Sequence, residues 1–247
     1  MVRHESAGAG SAPPVPLPVL VACAHGTGSP TGRRVLAQLR LDVAAARPGL
    51  RVLAAHADVE VQRPGIARVL GRLGAEGVPS IVVPLLLSSG YHVEEDIGRA
   101  VADAAARGLA RVARAIGPDE VLLDILLDRL AECGTEPGDA VVLAAAGSRR
   151  PGARGDVEWT AQLLARRRGA PVDVGYVAGR PSLTAVVAEV RARRPGVPVA
   201  LATYLLAPSV LVDRLASAGA QRIARPLAPH QLLTGLVLDR YDEAVHG

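Results

Sequence analysis

The feature that most constrains the fold is an internal repeat, in which the second half of the chain follows the same order of elements as the first. In both halves, short apolar runs alternate with segments of helical period, and turns rich in glycine and proline separate them. Segments 112–130 and 223–241 align without a gap and share seven identical residues. Repetition over this length indicates a duplicated unit, so the two halves are expected to fold alike.

Each half has the pattern of alternating strands and helices that forms a parallel sheet with helices on both faces. In the first half the predicted strands are 19–24, 51–61, 81–87 and 112–116. We therefore predict an α/β fold of two similar domains, 19–133 and 139–247, that face each other across a cleft. Residues 134–138 are a turn-rich linker, and residues 1–18, rich in Ala, Gly, Ser and Pro, are expected to be a disordered leader.

Composition narrows the range of partners. The chain has 247 residues and 49% hydrophobic content, enough for a substantial core, and its formal charge is +4. All 28 basic residues are arginines, and they are dispersed through the sequence, while aromatic content is only 2%. This argues against a nucleic-acid surface and favours a small polyanionic ligand.

The sequence also indicates a compartment. The longest apolar run, 199–212, contains polar residues and a proline and is too short to span a bilayer. Cys23 and Cys133 lie far apart and form no CxxC pattern, so neither a disulfide framework nor a zinc knuckle is expected. We therefore expect a cytoplasmic protein without a membrane segment.

Three polar residues, His25, Glu60 and His92, are predicted to follow the first three strands of the first half. The carboxyl ends of parallel strands meet at one edge of a sheet, where ligands of open α/β sheets bind. Two imidazoles and one carboxylate suit a borderline divalent ion such as Fe²⁺, Co²⁺, Ni²⁺ or Zn²⁺, with coordination positions left open. In the alignment of the two halves, the matching residues are apolar: Ala146, Val177 and Leu211.

This difference predicts that the first half carries the site and that the second half serves as a lid or wall. His56 is expected to be a packed or hydrogen-bonded histidine of the second strand rather than a ligand. A hydrolase with His25 in an oxyanion loop is a poor alternative, because no G-x-S-x-G nucleophile elbow occurs.

Two motifs resemble those of the CbiX/SirB family of class II chelatases. They are His25-Gly-Thr and the segment Pro84-Leu-Leu-Leu-Ser-Ser-Gly-Tyr-His-Val-Glu-Glu-Asp-Ile97. The duplicated layout, with these histidines only in the first half, resembles the long form of the family. The resemblance implies that His25 and His92 bind the incoming metal and assist its insertion into sirohydrochlorin. The family's acidic residue corresponds best to Glu60, with Asp58 as the alternative.

The resemblance also implies how the substrate is held. Sirohydrochlorin is a polycarboxylate, so Arg149 and Arg150, at the rim of the second half, are candidates to contact it. The small residues Gly26, Ser88, Ser89 and Gly90 are expected to line the cleft floor and to let a flat macrocycle approach the backbone.

The resemblance implies a lyase in which the metal is a substrate, and no permanent cofactor is expected. Iron, in siroheme synthesis, is slightly favoured, while cobalt, in cobalamin synthesis, and nickel stay open because the same ligands accept all three ions. We expect a monomer, with a homodimer as the alternative. A non-catalytic carrier or sensor of metal or tetrapyrrole on the same fold is the alternative function.

Overall fold

The structure is a computed structural model that describes residues 16–88, 91–148 and 151–247, with only the backbone for residues 91–96 and 213. It contains two four-stranded parallel sheets flanked by helices, which confirms the predicted fold class. The strands are β1 (Val19–Ala24), β2 (Val52–His56), β3 (Ser80–Pro84), β4 (Ala110–Val112), β5 (Ala140–Ala145), β6 (Val172–Tyr176), β7 (Val199–Tyr204) and β8 (Arg222–Ile223). The helices are α1 (Pro30–Ala46), α2 (Ile66–Ala75), α3 (Tyr91–Ala106), α4 (Val121–Glu132), α5 (Pro151–Arg168), α6 (Leu183–Arg193), α7 (Val210–Asp213) and α8 (Gln231–His246).

The two sheets have the same topology. The first has the order β2-β1-β3-β4 and the second the order β6-β5-β7-β8, and all pairs are parallel. Every residue of the inner strands β1 and β5 is buried. Helices cover both faces of such strands, which explains why their sequences are continuous apolar runs rather than alternating ones.

Three predicted strand ends in the first half are wrong. Strand β3 ends at Pro84 rather than at residue 87. Strand β2 ends at His56 rather than at residue 61, because the Asp58 carboxylate accepts hydrogen bonds from the backbone N–H groups of Glu60 and Val61 and turns the chain. Strand β4 ends at Val112, where residues 112–116 were predicted to be extended.

The helices follow the predicted apolar stripes. Helix α1 begins after Ser29, whose hydroxyl accepts a hydrogen bond from the Gly32 backbone N–H, and Pro30 occupies its first turn. Its residues Leu39 and Val43 are buried against the first sheet. The backbone of helix α3 begins at Tyr91, two residues before the predicted start.

The last helix of each half packs on the sheet of the other half. Helix α8 contacts α1 and β3, while helix α4 contacts α5 and β7. The exchange is anchored by Arg129 and Arg240, one of the identical pairs in the sequence repeat, and each is only 3% exposed. Arg129 donates to the carbonyls of residues 226, 227 and 229, and Arg240 donates to the carbonyl of residue 115 and to the carboxylate of residue 119.

This exchange creates one hydrophobic core that contains residues of both sheets together with α4 and α8. Two smaller cores lie on the other faces, one between the first sheet and helices α2 and α3, the other between the second sheet and α6. Among the described helices, none has the length and apolarity needed to cross a membrane.

Candidate active site at the carboxyl edge of the first sheet

The three predicted ligand positions follow three adjacent strands. His25 comes directly after β1, Glu60 lies in the turn beyond β2, and His92 occupies the first turn of the helix that follows β3. The order β2-β1-β3 therefore brings all three segments to the carboxyl edge of the first sheet, as predicted. The His92 side chain lies outside the described part of the structure, so its ligand role stays a prediction.

The loop that carries His25 is tied to the loop that carries Glu60. The Asp58 backbone N–H donates to the His25 carbonyl at 2.9 Å, and the Thr27 backbone N–H donates to Gln62 Oε1 at 3.1 Å. Gly26 has a φ of 115°, and a β-carbon there would lie 3.3 Å from the Asp58 carbonyl oxygen. Only glycine adopts this conformation readily, so this residue allows the two loops to pack against each other.

Arg33, which the sequence did not single out, joins the same two loops. Its Nε donates to the Thr27 carbonyl at 2.8 Å, and its terminal nitrogen donates to the Val61 carbonyl at 3.1 Å. Arg33 is one of the dispersed arginines, and only its position one turn into α1 indicates that it can reach both loops. Arg33 and Gln62 thus act on the candidate ligands through the backbone that holds them.

The side chains of His25 and Glu60 are exposed, and neither has a hydrogen-bond or ion-pair partner within residues 16–88, 91–148 and 151–247. The carboxylate of Asp58, in contrast, is occupied by the turn that it stabilises. Of the two acidic candidates, Glu60 is therefore the one whose carboxylate is available to a metal ion or a proton.

Two other titratable groups nearby do not serve as ligands. Burial raises the pKa of the Cys23 thiol to about 12, so the thiol stays protonated and is not a thiolate ligand near neutral pH. His56 is buried, and its Nδ1 lies 3.1 Å from the Pro64 carbonyl, which confirms the hydrogen-bonded histidine expected from the sequence. Among the side chains that the structure describes, no three His, Cys, Asp or Glu residues form a ready metal site.

The second half contacts the first half close to this edge. The loop after β7 reaches the start of α1, where a β-carbon on Gly32 would lie only 2.1 Å from the Pro208 carbonyl oxygen. The Tyr204 hydroxyl donates to the Leu87 carbonyl at 2.7 Å, one residue before Ser88. Ser88 is half-buried at the last described position of the first half's loop. Ser89, Gly90, Arg149 and Arg150 lie outside the described residues.

The alignment of Glu60 with Val177 is wrong. The backbone N–H of Val177 donates to the carbonyl that ends β5, as that of Ala57 donates to the carbonyl that ends β1, so Val177 matches Ala57. Eight residues separate the bridged pair His56 and Gly65, whereas five separate the matching pair Tyr176 and Ser182. Glu60 therefore lies in a turn that is three residues longer than its counterpart in the second half.

Comparison with known proteins agrees with this architecture. The CbiX family model matches residues 19–133 and 140–244. SirB from Bacillus subtilis with Fe³⁺ superposes with a TM-score of 0.77 at 21% identity, covering 92% of this chain and 95% of that one. SirB from Bacillus subtilis subspecies spizizenii in complex with cobalt gives a TM-score of 0.76 at 20% identity, covering 93% and 96%.

A third structure, CbiX, described as the terminal enzyme for biosynthesis of siroheme in denitrifying bacteria, gives a TM-score of 0.68 at 20% identity over 92% of this chain and 99% of its own. No curated protein matches this sequence. The family match extends over both halves and the superpositions reproduce the two-sheet fold of sirohydrochlorin chelatases, so the chain belongs to the CbiX family.

Proposed function

We propose that the protein is a sirohydrochlorin chelatase that inserts a divalent metal ion into its substrate. The observation that carries this proposal is the convergence of His25, Glu60 and His92 at one edge of the first sheet, in a chain of the CbiX family. The metal is a substrate, so its site has to stay open and bind the ion only moderately. The side chains of His25 and Glu60, exposed and without a partner among the described residues, suit that requirement.

In the proposed reaction, His25 and His92 hold the ion as neutral imidazoles while the macrocycle approaches. Two pyrrole N–H groups lose their protons as the ring nitrogens bind the ion, and one histidine accepts a proton as it releases the metal. Imidazole suits both tasks near neutral pH, because it binds metal ions in its neutral form and can take up a proton in that pH range. Glu60 supplies negative charge or accepts the second proton.

In the proposed complex, sirohydrochlorin lies between the two halves. Gly26 and the segment Ser88, Ser89 and Gly90 form the floor, where small residues allow the flat ring to approach the backbone. Arg149 and Arg150 contact carboxylates of the ring from the second half, through charge-assisted hydrogen bonds. We propose a cytoplasmic monomer with iron as the preferred ion, in siroheme synthesis, and cobalt, in cobalamin synthesis, as the second candidate.

Anaerobic absorbance of sirohydrochlorin mixed with the protein and Fe²⁺ or Co²⁺ tests this proposal. We expect rapid conversion to the metallated spectrum, and a loss of about 10²- to 10⁴-fold in rate for His25→Ala and for His92→Ala. His230→Asn is the matched control, because His230 caps α8 far along the chain and asparagine also caps helices. Normal turnover by both alanine variants would refute the site assignment.

A second pair of variants decides between the acidic candidates. Glu60→Gln removes a carboxylate that has no partner within the described residues, and we expect it to lower kcat without changing the melting temperature. Asp58→Asn weakens the turn of the loop and should lower stability as well as activity. If Glu60→Gln retains the wild-type rate, Glu60 is not the acidic group of the site.

The carrier hypothesis makes a different prediction in the same assay. A carrier or sensor would shift the sirohydrochlorin spectrum on binding, but metal would enter no faster than in the uncatalysed reaction. The two histidine variants would then bind tetrapyrrole as well as wild type does.

A further inference from the structure

A cavity of about 240 Å³ lies between β1, β2 and the first half of α1, below the loop that carries His25. Its polar lining consists of Arg33, Arg40, His56 and Gln62, and the remaining walls are small or aliphatic residues. None of the ten residues that line it in the described part of the chain is an aspartate or a glutamate. The cavity is therefore a positively charged space beside the candidate active site.

Comparison with the second half shows that small residues leave this space open. Ala22 and Ala54 are paired neighbours in the first sheet, and at the matching positions the paired residues of the second sheet are Leu143 and Val174. Ala22 lies in an inner strand yet keeps 8% of its surface exposed, whereas Leu143 is fully buried. The first half thus has less side-chain volume at this point than the fold accommodates in the second half.

Arg40 differs from Arg33, the other arginine of the lining, because no hydrogen bond holds its guanidinium among the described residues. It is half-buried on α1, and no hydrogen-bond or ion-pair partner for it occurs among the described residues. At the matching position of α5 the second half has Ala161. A half-buried guanidinium without a counter-ion favours an anionic ligand, because pairing offsets part of its desolvation cost.

The other polar residues of the lining connect the cavity to the loop that carries His25. Gln62 and Arg33 line the cavity and also hold the backbone of Thr27, two residues after His25. Arg40, Arg33 and His56 line the same cavity. Burial lowers the pKa of His56 despite its hydrogen bond to the Pro64 carbonyl, and the positive charges of Arg40 and Arg33 lower it further. His56 is therefore neutral near pH 7, and the arginines supply the positive charge.

We propose that this cavity binds the carboxylate of one side arm of the tetrapyrrole, with Arg40 as its principal partner and Arg33 and Gln62 beside it. This inference rests on the proposed function, since the substrate is the polycarboxylate inferred there. A carboxylate held below the His25 loop fixes the rotation of the macrocycle over the metal-binding edge. Arg40 is thus a substrate-binding residue that acts before metal insertion.

The test is an absorbance titration of sirohydrochlorin with metal-free protein. Arg40→Met removes the charge but keeps a side chain of similar length, and we expect it to raise Kd about tenfold. Arg40→Lys should recover part of the affinity, because a charge remains. Arg34→Met is the matched control: Arg34 lies on the same helix, bonds Thr31 instead of lining the cavity, and should leave Kd within about twofold of wild type.

A second variant reduces the volume of the cavity instead of removing its charge. Ala54→Val introduces the residue of the second half, fills space without removing charge, and suits a strand, so the fold should tolerate it. We expect it also to raise Kd, and in the metallation assay both Arg40→Met and Ala54→Val should raise KM with kcat nearly unchanged. Unchanged Kd in Arg40→Met would overturn the proposal even if wild type metallates normally.

Titration of the metal-free protein with propionate and with inorganic phosphate, followed by the amide resonances of Ala22 and Ala54, separates the possible sources of the anion. Shifts with propionate that Arg40→Met abolishes support a carboxylate site. If phosphate occupies the cavity and leaves sirohydrochlorin affinity unchanged, the assignment to a tetrapyrrole arm is overturned. Failure of wild type to bind sirohydrochlorin at all, with propionate still bound, overturns that assignment together with the proposed function while the anion site itself persists.

Discussion

The two halves of the molecule share one fold but differ at the edge where the first half carries its polar residues. Both sheets have the same strand order, and the turns after β1 and β5 each contain a glycine with positive φ, at residues 26 and 147. After that glycine-containing turn the halves diverge: the turn beyond β2 is three residues longer than its counterpart, and α3 has 16 residues where α7 has four.

Features that the two halves share are expected to serve the fold, whereas features that differ between them are candidates for the chemistry of the site. Features present in both halves, such as the buried arginines of α4 and α8, stabilise the arrangement of the two sheets. In the described residues, the first half has an exposed histidine after β1 where the second half has Ala146, an extended turn whose Glu60 carboxylate has no described partner, and the open cavity beneath them. The following predictions test this division, from the largest expected effect to the smallest.

Relocation of a histidine is the strongest test. We expect the double variant His25→Ala with Ala146→His to remain as inactive as His25→Ala alone, about 10²- to 10⁴-fold below wild type. The reason is that the strand end at residue 146 lacks the extended turn and the long helix that complete the first site. The measurement is the anaerobic metallation rate, and recovery of activity in the double variant would show that the two edges are equivalent.

Loss of a buried arginine should destabilise either half by a similar amount. Arg129→Met leaves three backbone carbonyls without their donor and removes one of the two arginines paired with Glu132, and we expect a loss of about 3–5 kcal/mol in the free energy of unfolding. Arg240→Met should cost about as much. Denaturant titration measures both.

The controls for this pair are Arg225→Met and Arg114→Met, which remove ion pairs to the same glutamates, 132 and 243, from exposed positions. We expect each to cost less than about 1 kcal/mol. Equal effects of the buried and exposed variants would contradict the anchoring role of the helix exchange.

The two turn glycines should respond unequally to alanine. A β-carbon at Gly147 would lie 2.6 Å from the Ala178 carbonyl oxygen, whereas one at Gly26 would lie 3.3 Å from the Asp58 carbonyl oxygen. Both positions have positive φ, so each substitution should cost about 1–3 kcal/mol, with Gly147→Ala at the upper end. Thermal unfolding measures the stability of both variants. The metallation rate should fall more in Gly26→Ala than in Gly147→Ala, although Gly26→Ala is the less destabilised variant, because the loop of Gly26 carries His25.

The smallest expected effect concerns an ion pair found in one half only. Arg47, directly after α1, donates to the Asp242 carboxylate on α8 and holds the pKa of that carboxyl below its usual value of 3.8. Arg168, at the matching position of the second half, contacts a backbone carbonyl instead. Because both side chains are about a third exposed, we expect Asp242→Asn to cost about 0.5 kcal/mol at pH 7.

This cost should depend on pH. A carboxyl whose pKa is lowered by folding contributes stability above its unfolded pKa, and the contribution is lost as the pH falls through the folded value. Urea titrations measure the free energy of unfolding, and the difference in this quantity between wild type and Asp242→Asn should therefore shrink below about pH 4. If the difference in the free energy of unfolding stays constant from pH 7 to pH 3.5, the ion pair between Arg47 and Asp242 does not account for the cost of Asp242→Asn.

Much of the fold could be predicted because periodicity and repetition are local properties of a sequence. Apolar runs of strand length, glycine turns and helical stripes predicted the alternation of strands and helices along both halves. Boundaries were less accurate where side chains intervened, as at Asp58, whose carboxylate ends β2 earlier than the apolar pattern suggests. Pattern alone contains no signal for such a hydrogen bond.

The site was predictable to the level of the sheet edge. His25 and His92 stand in recognisable motifs, and a parallel sheet necessarily brings consecutive strand ends together. The sequence could not show that Glu60 lies in an insertion relative to the second half. An alignment anchored on Pro64 and Pro181 conceals that insertion, and only the backbone hydrogen bonds locate it. Arg33 and Arg40 were indistinguishable from the other dispersed arginines until the structure placed them over the first sheet.

The sequence by itself determined the two parallel sheets, the duplication and the polar edge of the first half, because these follow from residue type and spacing. Only the tertiary structure decided which sheet each final helix covers, since an amphipathic helix has the same sequence pattern whichever apolar surface it meets. The cavity beside His25 is likewise a tertiary property. It depends on the combined volume of Ala22, Ala54 and the residues of α1 that face them, and volume is shared between elements distant in sequence.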